Sequence, residues 1–129
     1  MARCLLSLVI LIVAGVSFGQ DQASAEPKQF IYVLHLVTRL HDEKAWTKED
    51  KAAVDQHFNR LKEATDRGQV LLAGRTAESL DKTFGIVVFE AKDQEAALGF
   101  MNGDPAVLAG VMTAELHPFS VALERKNPE

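Results

Sequence analysis

The spacing of apolar side chains predicts four β-strands after the leading apolar segment of the chain. Residues 30–38 (FIYVLHLVT) are rich in β-branched and aromatic side chains and are apolar on both alternating faces, which is typical of a strand covered on both sides. Residues 69–77 (QVLLAGRTA) and 83–91 (TFGIVVFEA) predict the two strands of a hairpin. Residues 111–123 predict the last strand, in which Pro118 indicates a bulge, an edge position or an irregular stretch.

Helical periodicity and capping residues predict two helices between these strands. The first helix is expected to begin at Thr47, where a Thr-x-x-Asp sequence supplies a side-chain cap, and to run to about Arg67. The second helix is expected to follow the cap residue Asp93 and to end at Asn102. Asp104 stands before a proline and predicts one further helical turn. The predicted buried face of the first helix consists of Val54, His57, Phe58 and Leu61.

The order of these elements, β-α-β-β-α-β, predicts an α+β protein with a ferredoxin-like fold. In that fold a four-stranded antiparallel sheet carries two helices on one face. The first strand is apolar on both faces, with Ile31 and Val33 opposite to Tyr32 and Leu34, so the helix-free face should also be buried. A second copy of the chain is the simplest cover, and two sheets packed face to face would enclose a pocket for a small molecule. We therefore expect a homodimer.

The first residues have the organisation of a secretory signal peptide. Arg3 precedes an apolar run, residues 5–16, whose length suits a signal peptide and is short for a membrane span. Small residues allow cleavage after Gly19 or after Ala25, and an uncleaved N-terminal anchor is the alternative. We expect a secreted or periplasmic protein that does not associate with a membrane after cleavage.

Removal of residues 1–25 would leave residues 26–129 as a single domain, with its core at about residues 30–123. Cys4, the one cysteine of the chain, would be lost with the signal peptide, which excludes disulfides and thiol chemistry from the mature domain. The whole chain has 14 basic and 18 acidic side chains, a formal net charge of −4, and both signs are scattered along it. This balance argues against nucleic acid and anionic membranes as partners.

The candidate chemistry is limited to histidine, carboxylate, arginine and tyrosine side chains. The glycine-rich phosphate-binding motifs and the nucleophile motif GxSxG do not occur in the sequence. The four histidines lie in different predicted elements without the spacing of a metal site, so we predict neither a metal nor a cofactor. An alternative is that His35 and His117, both on strands, meet inside the sheet cavity, although ordinary half-buried histidines are the simpler interpretation.

His57 is the most informative of these residues. It interrupts an otherwise apolar helix face, and a buried imidazole needs a hydrogen-bond partner. A backbone carbonyl could be that partner, in which case His57 is a core residue without a chemical role. Asp104 stands at a predicted helix start, where an aspartate is usually a cap. Neither residue alone identifies a catalyst.

Several segments of the chain resemble the YciI-like (YCII-related domain) family over about residues 30–123. They are the opening strand YVLHLVTR, the helix with His57 followed by GQVLLAG, the segment FEAKDQEAALGFMNGDPAVLAG, and HPF in the closing strand. The resemblance implies a ferredoxin-like dimer with an active site at the boundary between sheet and helices, where His57 pairs with Asp104. It also implies a lyase-type elimination or a related proton transfer on a small cyclic or aromatic compound.

Such a pair is physically suited to acid–base chemistry. An aspartate that accepts from one imidazole nitrogen fixes the tautomer and leaves the other nitrogen free to take a proton near neutral pH. His57 would be the base, and Asp104 would orient it and stabilise the imidazolium. Arg39 after the first strand and Arg75 in the second are candidates to hold an anionic or enolate-like oxygen, and His35 is a further candidate for substrate contact. Solvated surface side chains are the alternative for the two arginines.

Two features of this sequence differ from those expected of the family. One is the export signal, and the other is the connection LHDEKAWTKED at residues 40–50, which replaces a glycine- and proline-rich segment. Trp46 in this connection either closes the cavity or packs against the following helix. Three hypotheses follow: an enzyme that uses His57 and Asp104, a ligand-binding module without turnover, and a structural dimer whose histidine is a packed core residue.

Overall fold

A computed structural model describes residues 27–126, so the predicted signal peptide and its cleavage sites lie outside the described residues. Within this range no helix is long and apolar enough to cross a membrane. Two short 3-10 turns, Thr38–His41 and Glu43–Ala45, fill the first connection. The strands and α-helices are β1 Lys28–Leu36, α1 Lys48–Asp66, β2 Val70–Arg75, β3 Phe84–Ala91, α2 Gln94–Asn102, α3 Pro105–Leu108 and β4 Met112–Pro118.

The strands form one antiparallel sheet in the order β2-β3-β1-β4. β1 lies in the middle and pairs with β3 on one side and β4 on the other, so that Tyr32 lies opposite both Val87 and Leu116. β2 pairs with β3 as a hairpin, with a register shift between Val70 and Leu72. The strand order and the order of elements along the chain confirm the predicted ferredoxin-like βαββαβ fold.

The main hydrophobic core lies between one face of the sheet and the helices. The aromatic side chains of Tyr32, Phe89 and Phe100 pack together there, with ring centroids 4.7 to 6.3 Å apart. Tyr32 is therefore held in a fixed position at the centre of the sheet–helix boundary. The buried core residues are Phe30, Tyr32, Leu34, Val70, Val87, Phe89 and Ala91 from the sheet and Leu61, Ala64, Ala97 and Met101 from the helices.

The first turn of α1 is fixed by a capping box. The Thr47 hydroxyl accepts from the backbone N–H of Asp50 at 3.1 Å, and the Asp50 carboxylate accepts from the backbone N–H of Thr47 at 2.9 Å. This is the cap that the sequence TKED predicts. The helix begins at Lys48, directly after the cap, and its last residue, Asp66, lies next to the predicted end.

Two details of the predicted elements are wrong. Phe58 does not belong to the buried face of α1, because it is 65% exposed. The buried side of the helix instead runs through Ala53, Leu61 and Ala64, and Phe58 is rotated away from that line. β4 ends at Pro118 rather than at residue 123, because its partner strand begins at Lys28 and the last backbone contact is the Phe119 N–H donating to the Gln29 carbonyl at 3.0 Å. β4 lies at the sheet edge, which is one of the positions predicted for Pro118.

Trp46 packs on a smaller cluster at the start of α1. Its indole N–H donates to the backbone carbonyl of Leu40 at 3.0 Å. The side chain packs against a cluster that includes Ala53 of α1, and it also borders the cavity beside α1, so the two interpretations for Trp46 do not exclude each other. The buried members of this cluster are Leu40, Ala53, Ala106 and Val111.

The helix-free face of the sheet retains partly exposed apolar side chains. Ile31, Val33 and Ile86 are half-buried there, and Phe84 and Leu72 are exposed. A second sheet would remove these side chains from water, which would favour association. The homodimer stays a prediction on this basis.

A single charge on the helix-free face should separate the predicted dimer into monomers. We expect sedimentation equilibrium to give a dimer for the mature protein and a folded monomer for Val33→Lys, because a buried ammonium at the interface is costly. Leu108→Lys is the control, since Leu108 is exposed on α3. A monomeric wild-type protein would contradict the prediction.

Candidate active site

Asp104 lies between α2 and α3, and it is 0% exposed. The carboxylate caps α3 by accepting from the backbone N–H of Ala106 at 2.9 Å. Pro105 occupies the first position of α3, where the missing N–H leaves no donor unsatisfied. The cap that the sequence predicts is therefore present. However, a fully buried carboxylate needs more than one donor, and the remaining partners come from distant parts of the chain.

His57 is the second partner of Asp104. It lies in the middle of α1, and its Nδ1 is 2.8 Å from Oδ1 and 2.7 Å from Oδ2 of Asp104. Because an ionised carboxylate only accepts hydrogen bonds, Nδ1 carries the proton and donates it. The structure thus brings together the two residues that the family resemblance pairs.

Tyr32 is the third partner, and the sequence did not identify it as a site residue. Its hydroxyl donates to Oδ2 of Asp104 at 2.9 Å. Burial, together with the charge of Asp104, raises the pKa of Tyr32 well above its ordinary value, so the phenol remains a donor at neutral pH. A signal was present in the sequence, since a tyrosine on the buried face of a strand needs a partner for its hydroxyl.

The environment of Asp104 keeps its carboxyl group ionised. Burial acts to raise the pKa of Asp104, but the hydrogen bond and charge of His57, the hydroxyl of Tyr32 and the N–H of Ala106 outweigh burial and lower it. At neutral pH the site therefore contains a buried carboxylate that orients the imidazole of His57.

A cavity of about 890 Å³ opens beside His57 on the α1 side of the sheet and continues around the β2 edge to Leu72 and Phe84 on the helix-free face. Nε2 of His57 has no hydrogen-bond partner among residues 27–126 and keeps access to solvent; its side chain is 14% exposed. A volume of this size suits a small ligand. The apolar residues that line the cavity include Leu34, Leu36, Phe58, Leu61, Phe84 and Val87.

Arg75 is the predicted substrate-binding residue that lines this cavity. It projects from β2 opposite Gly85 of β3, and it forms no ion pair within residues 27–126. Its guanidinium is therefore available to an anionic group in the cavity. Lys62 also lines the cavity, but its ammonium is paired with Asp66 at 2.8 Å.

Arg39 does not line the cavity, so its predicted substrate contact is not supported there and stays a prediction. Its Nη1 and Nη2 donate to the two carboxylate oxygens of Asp50, each at 2.8 Å. This bidentate pair lowers the pKa of Asp50 and joins the first connection to the start of α1. The guanidinium therefore stabilises the helix start.

His35 lies on the helix-free face of the sheet and does not line the cavity beside His57. Its ring packs against Phe84, with centroids 6.0 Å apart, so a substrate contact of His35 stays a prediction for the space that a second sheet would enclose. The register places His35 opposite Thr113 and His117 opposite Ile31, so the two histidines do not meet within one chain. No group of three or more His, Cys, Asp or Glu side chains among residues 27–126 is arranged to hold a metal ion.

The chain belongs to the YCII-related domain family, whose sequence profile matches residues 32–120. No curated protein matches the chain. Among solved structures it is similar to 5-chloro-2-hydroxyhydroquinone dehydrochlorinase (TftG) from Burkholderia phenoliruptrix AC1100, solved in complex with 2,5-dihydroxybenzoquinone. The two sequences are 14% identical, the match covers 71% of this chain and 93% of that chain, and the TM-score is 0.49.

The pair of Arg39 and Asp50 should make the protein sensitive to acid. Because the folded protein lowers the pKa of Asp50, the pair stabilises the fold above the unfolded pKa of about 4 and loses this effect as the pH falls further. We expect Asp50→Asn to lower Tm at pH 7, and we expect its difference from the wild type to shrink below about pH 4.

Asp66→Asn is the matched control for this comparison. It removes the carboxylate of the pair with Lys62, in which both side chains are 63% exposed. An exposed pair of this kind contributes little to stability, so Tm at pH 7 should change less than in Asp50→Asn. Equal changes in the two variants would contradict the role assigned to Arg39.

Proposed function

We propose that this protein is an enzyme in which His57 acts as a general base on a small cyclic or aromatic molecule. One observation carries the proposal: Nδ1 of His57 is hydrogen-bonded to the buried carboxylate of Asp104, while Nε2 has no hydrogen-bond partner among the described residues and His57 lines a cavity of about 890 Å³. Asp104 fixes the tautomer in which Nε2 has the free lone pair, and it stabilises the imidazolium that forms.

The proposed reaction is a proton abstraction, followed in the lyase-type case by elimination. Nε2 of His57 takes the proton of a C–H or O–H bond, and the electron pair of that bond forms a new double bond. The leaving group departs with its own electron pair, so the step needs no oxidant or reductant. Arg75 would bind the oxygen on which negative charge develops.

The composition of the cavity supports a ring-shaped, mostly apolar substrate. Phe58 provides an aromatic contact, and Leu61 and Val87 form an apolar wall on the α1 side of the cavity that holds His57. When a bound substrate displaces water from this wall, the attraction between the developing anion and a cation such as Arg75 becomes stronger. The same cavity could serve a ligand-binding module without turnover, and the experiment below separates the two functions.

We also propose that the mature domain acts in the periplasm or outside the cell. The support is the sequence of the first residues, where Arg3 precedes the apolar run of residues 5–16 and small residues follow.

Hydrogen–deuterium exchange of candidate substrates tests the function without knowledge of the full reaction. A panel of small cyclic and aromatic compounds with an acidic C–H bond is incubated with the mature protein in D₂O, and loss of the ¹H signal is followed by NMR. For a compound that exchanges, we expect His57→Ala to slow exchange by at least about 100-fold while the Kd changes little. The reason is that the variant removes the base but leaves the cavity walls.

His41→Gln is the control, because Nε2 of His41 hydrogen-bonds to the Leu36 carbonyl and the residue does not line the cavity. Its exchange rate should equal that of the wild type. Unchanged exchange in His57→Ala would rule out His57 as the base. Binding of compounds without any exchange would favour the ligand-binding module.

A further inference from the structure

Arg60 lies next to the site, and the chemistry described above gives it no role. It follows His57 by one turn of α1, and its guanidinium packs over the ring of Phe100 at 4.2 Å from the centroid. Nη2 donates to the backbone carbonyl of Phe100 at 2.8 Å. Nη1 is buried and has no hydrogen-bond partner among residues 27–126. A buried donor without a partner is costly, so the position of Arg60 requires a physical reason.

Arg60 lies close to Tyr32 and to the backbone that carries Asp104. Burial and the neighbouring Asp104 raise the pKa of the Tyr32 phenol, and the charge and hydrogen-bonding group of Arg60 act in the opposite direction. A Cβ atom added to Gly103 would lie 3.4 Å from Nη2 of Arg60, so the glycine before Asp104 leaves room for the guanidinium. Neither Tyr32 nor Arg60 lines the cavity.

The two oxygens of Asp104 are held by different donors. Oδ1 accepts from the N–H of Ala106 and Oδ2 accepts from the hydroxyl of Tyr32, each at 2.9 Å. With both oxygens bound in this way, rotation of the carboxylate would break at least one hydrogen bond. The orientation that remains is the one in which both oxygens face Nδ1 of His57.

We propose that Tyr32 and Arg60 are positioning residues of this site. The Tyr32 hydroxyl fixes the Asp104 carboxylate in the orientation that receives the Nδ1 proton of His57. Arg60, held by Phe100, balances the negative charge of the carboxylate inside the protein. The proposal rests on the proposed function of His57, but its first test does not depend on turnover.

The charge balance explains why a cation belongs at this place. When His57 is neutral, Asp104 is a buried anion whose direct partners are three neutral donors, from His57, Tyr32 and Ala106. A buried charge is stable only when an opposite charge or strong donors compensate it. Arg60 supplies a positive charge that no carboxylate among residues 27–126 binds as an ion pair.

The ¹H NMR signal of the Nδ1 proton of His57 tests the role of Tyr32. Tyr32→Phe removes one oxygen and keeps the ring contacts with Phe89 and Phe100. We expect a sharp downfield signal in the wild type, absent in His57→Gln, and a signal broadened or lost through faster exchange with water in Tyr32→Phe. An equally sharp signal in Tyr32→Phe would overturn the proposal for Tyr32, whatever His57 does in turnover.

Arg60→Met tests the role of the charge, because methionine keeps an apolar contact with Phe100. Arg67→Met is the matched control, since Arg67 is exposed at the end of α1. We expect Arg60→Met to weaken the Nδ1 signal and to lower kcat about tenfold, with KM within about twofold, because Arg60 does not touch the cavity. The same behaviour in both arginine variants would overturn the proposal for Arg60.

Arg60→Lys separates charge from packing. It keeps a positive charge, so the Nδ1 signal should remain, and its loss would assign Arg60 only to packing against Phe100. The proposed function can fail separately: if His57→Ala retains substrate exchange, His57 is not the base, while the NMR signal still decides whether Tyr32 and Arg60 position Asp104.

Discussion

The buried carboxylate of Asp104 is the group on which the arrangement of this site depends. An anion without solvent contact must be surrounded by donors, and three elements supply them: α3 through the N–H of Ala106, α1 through His57 and β1 through Tyr32. A buried group that loses a hydrogen-bond partner is destabilised by about 1–3 kcal/mol, and by more when the group is charged. The same contacts therefore stabilise the packing of the helices on the sheet and orient the imidazole.

The topology explains why these groups meet. β1 lies in the middle of the sheet, so Tyr32 reaches the centre of the sheet–helix boundary. The short connection between α2 and α3 brings Asp104 to the same place, next to the middle of α1. The cavity begins between α1 and the β2–β3 hairpin and continues around edge strand β2, which contributes Arg75. Apolar walls and a polar group on each side are the composition expected of a small-molecule site.

Local patterns in the sequence were enough to predict the order of elements and their caps. Thr47, Asp93 and Asp104 each cap the helix that follows them, because capping depends only on residues within one turn.

Contacts between residues far apart in the sequence could not be predicted from local patterns. His57 and Asp104 are 47 positions apart, and only the resemblance to the family paired them. Tyr32 and Asp104 are 72 positions apart, and no local pattern joins them. Arg39 was a candidate for substrate contact because it follows the first strand, and its pairing with Asp50, 11 positions away, has no local pattern that would predict it.

The tautomer of His57 tests the central claim most directly. The ¹⁵N chemical shifts of both ring nitrogens can be measured in the mature protein at alkaline pH, where the imidazole is neutral. The Asp104 contact predicts a proton on Nδ1 and a free lone pair on Nε2, facing the cavity. A proton on Nε2, or an equal mixture of the two tautomers, would show that Asp104 does not orient His57 and would contradict its role as a poised base.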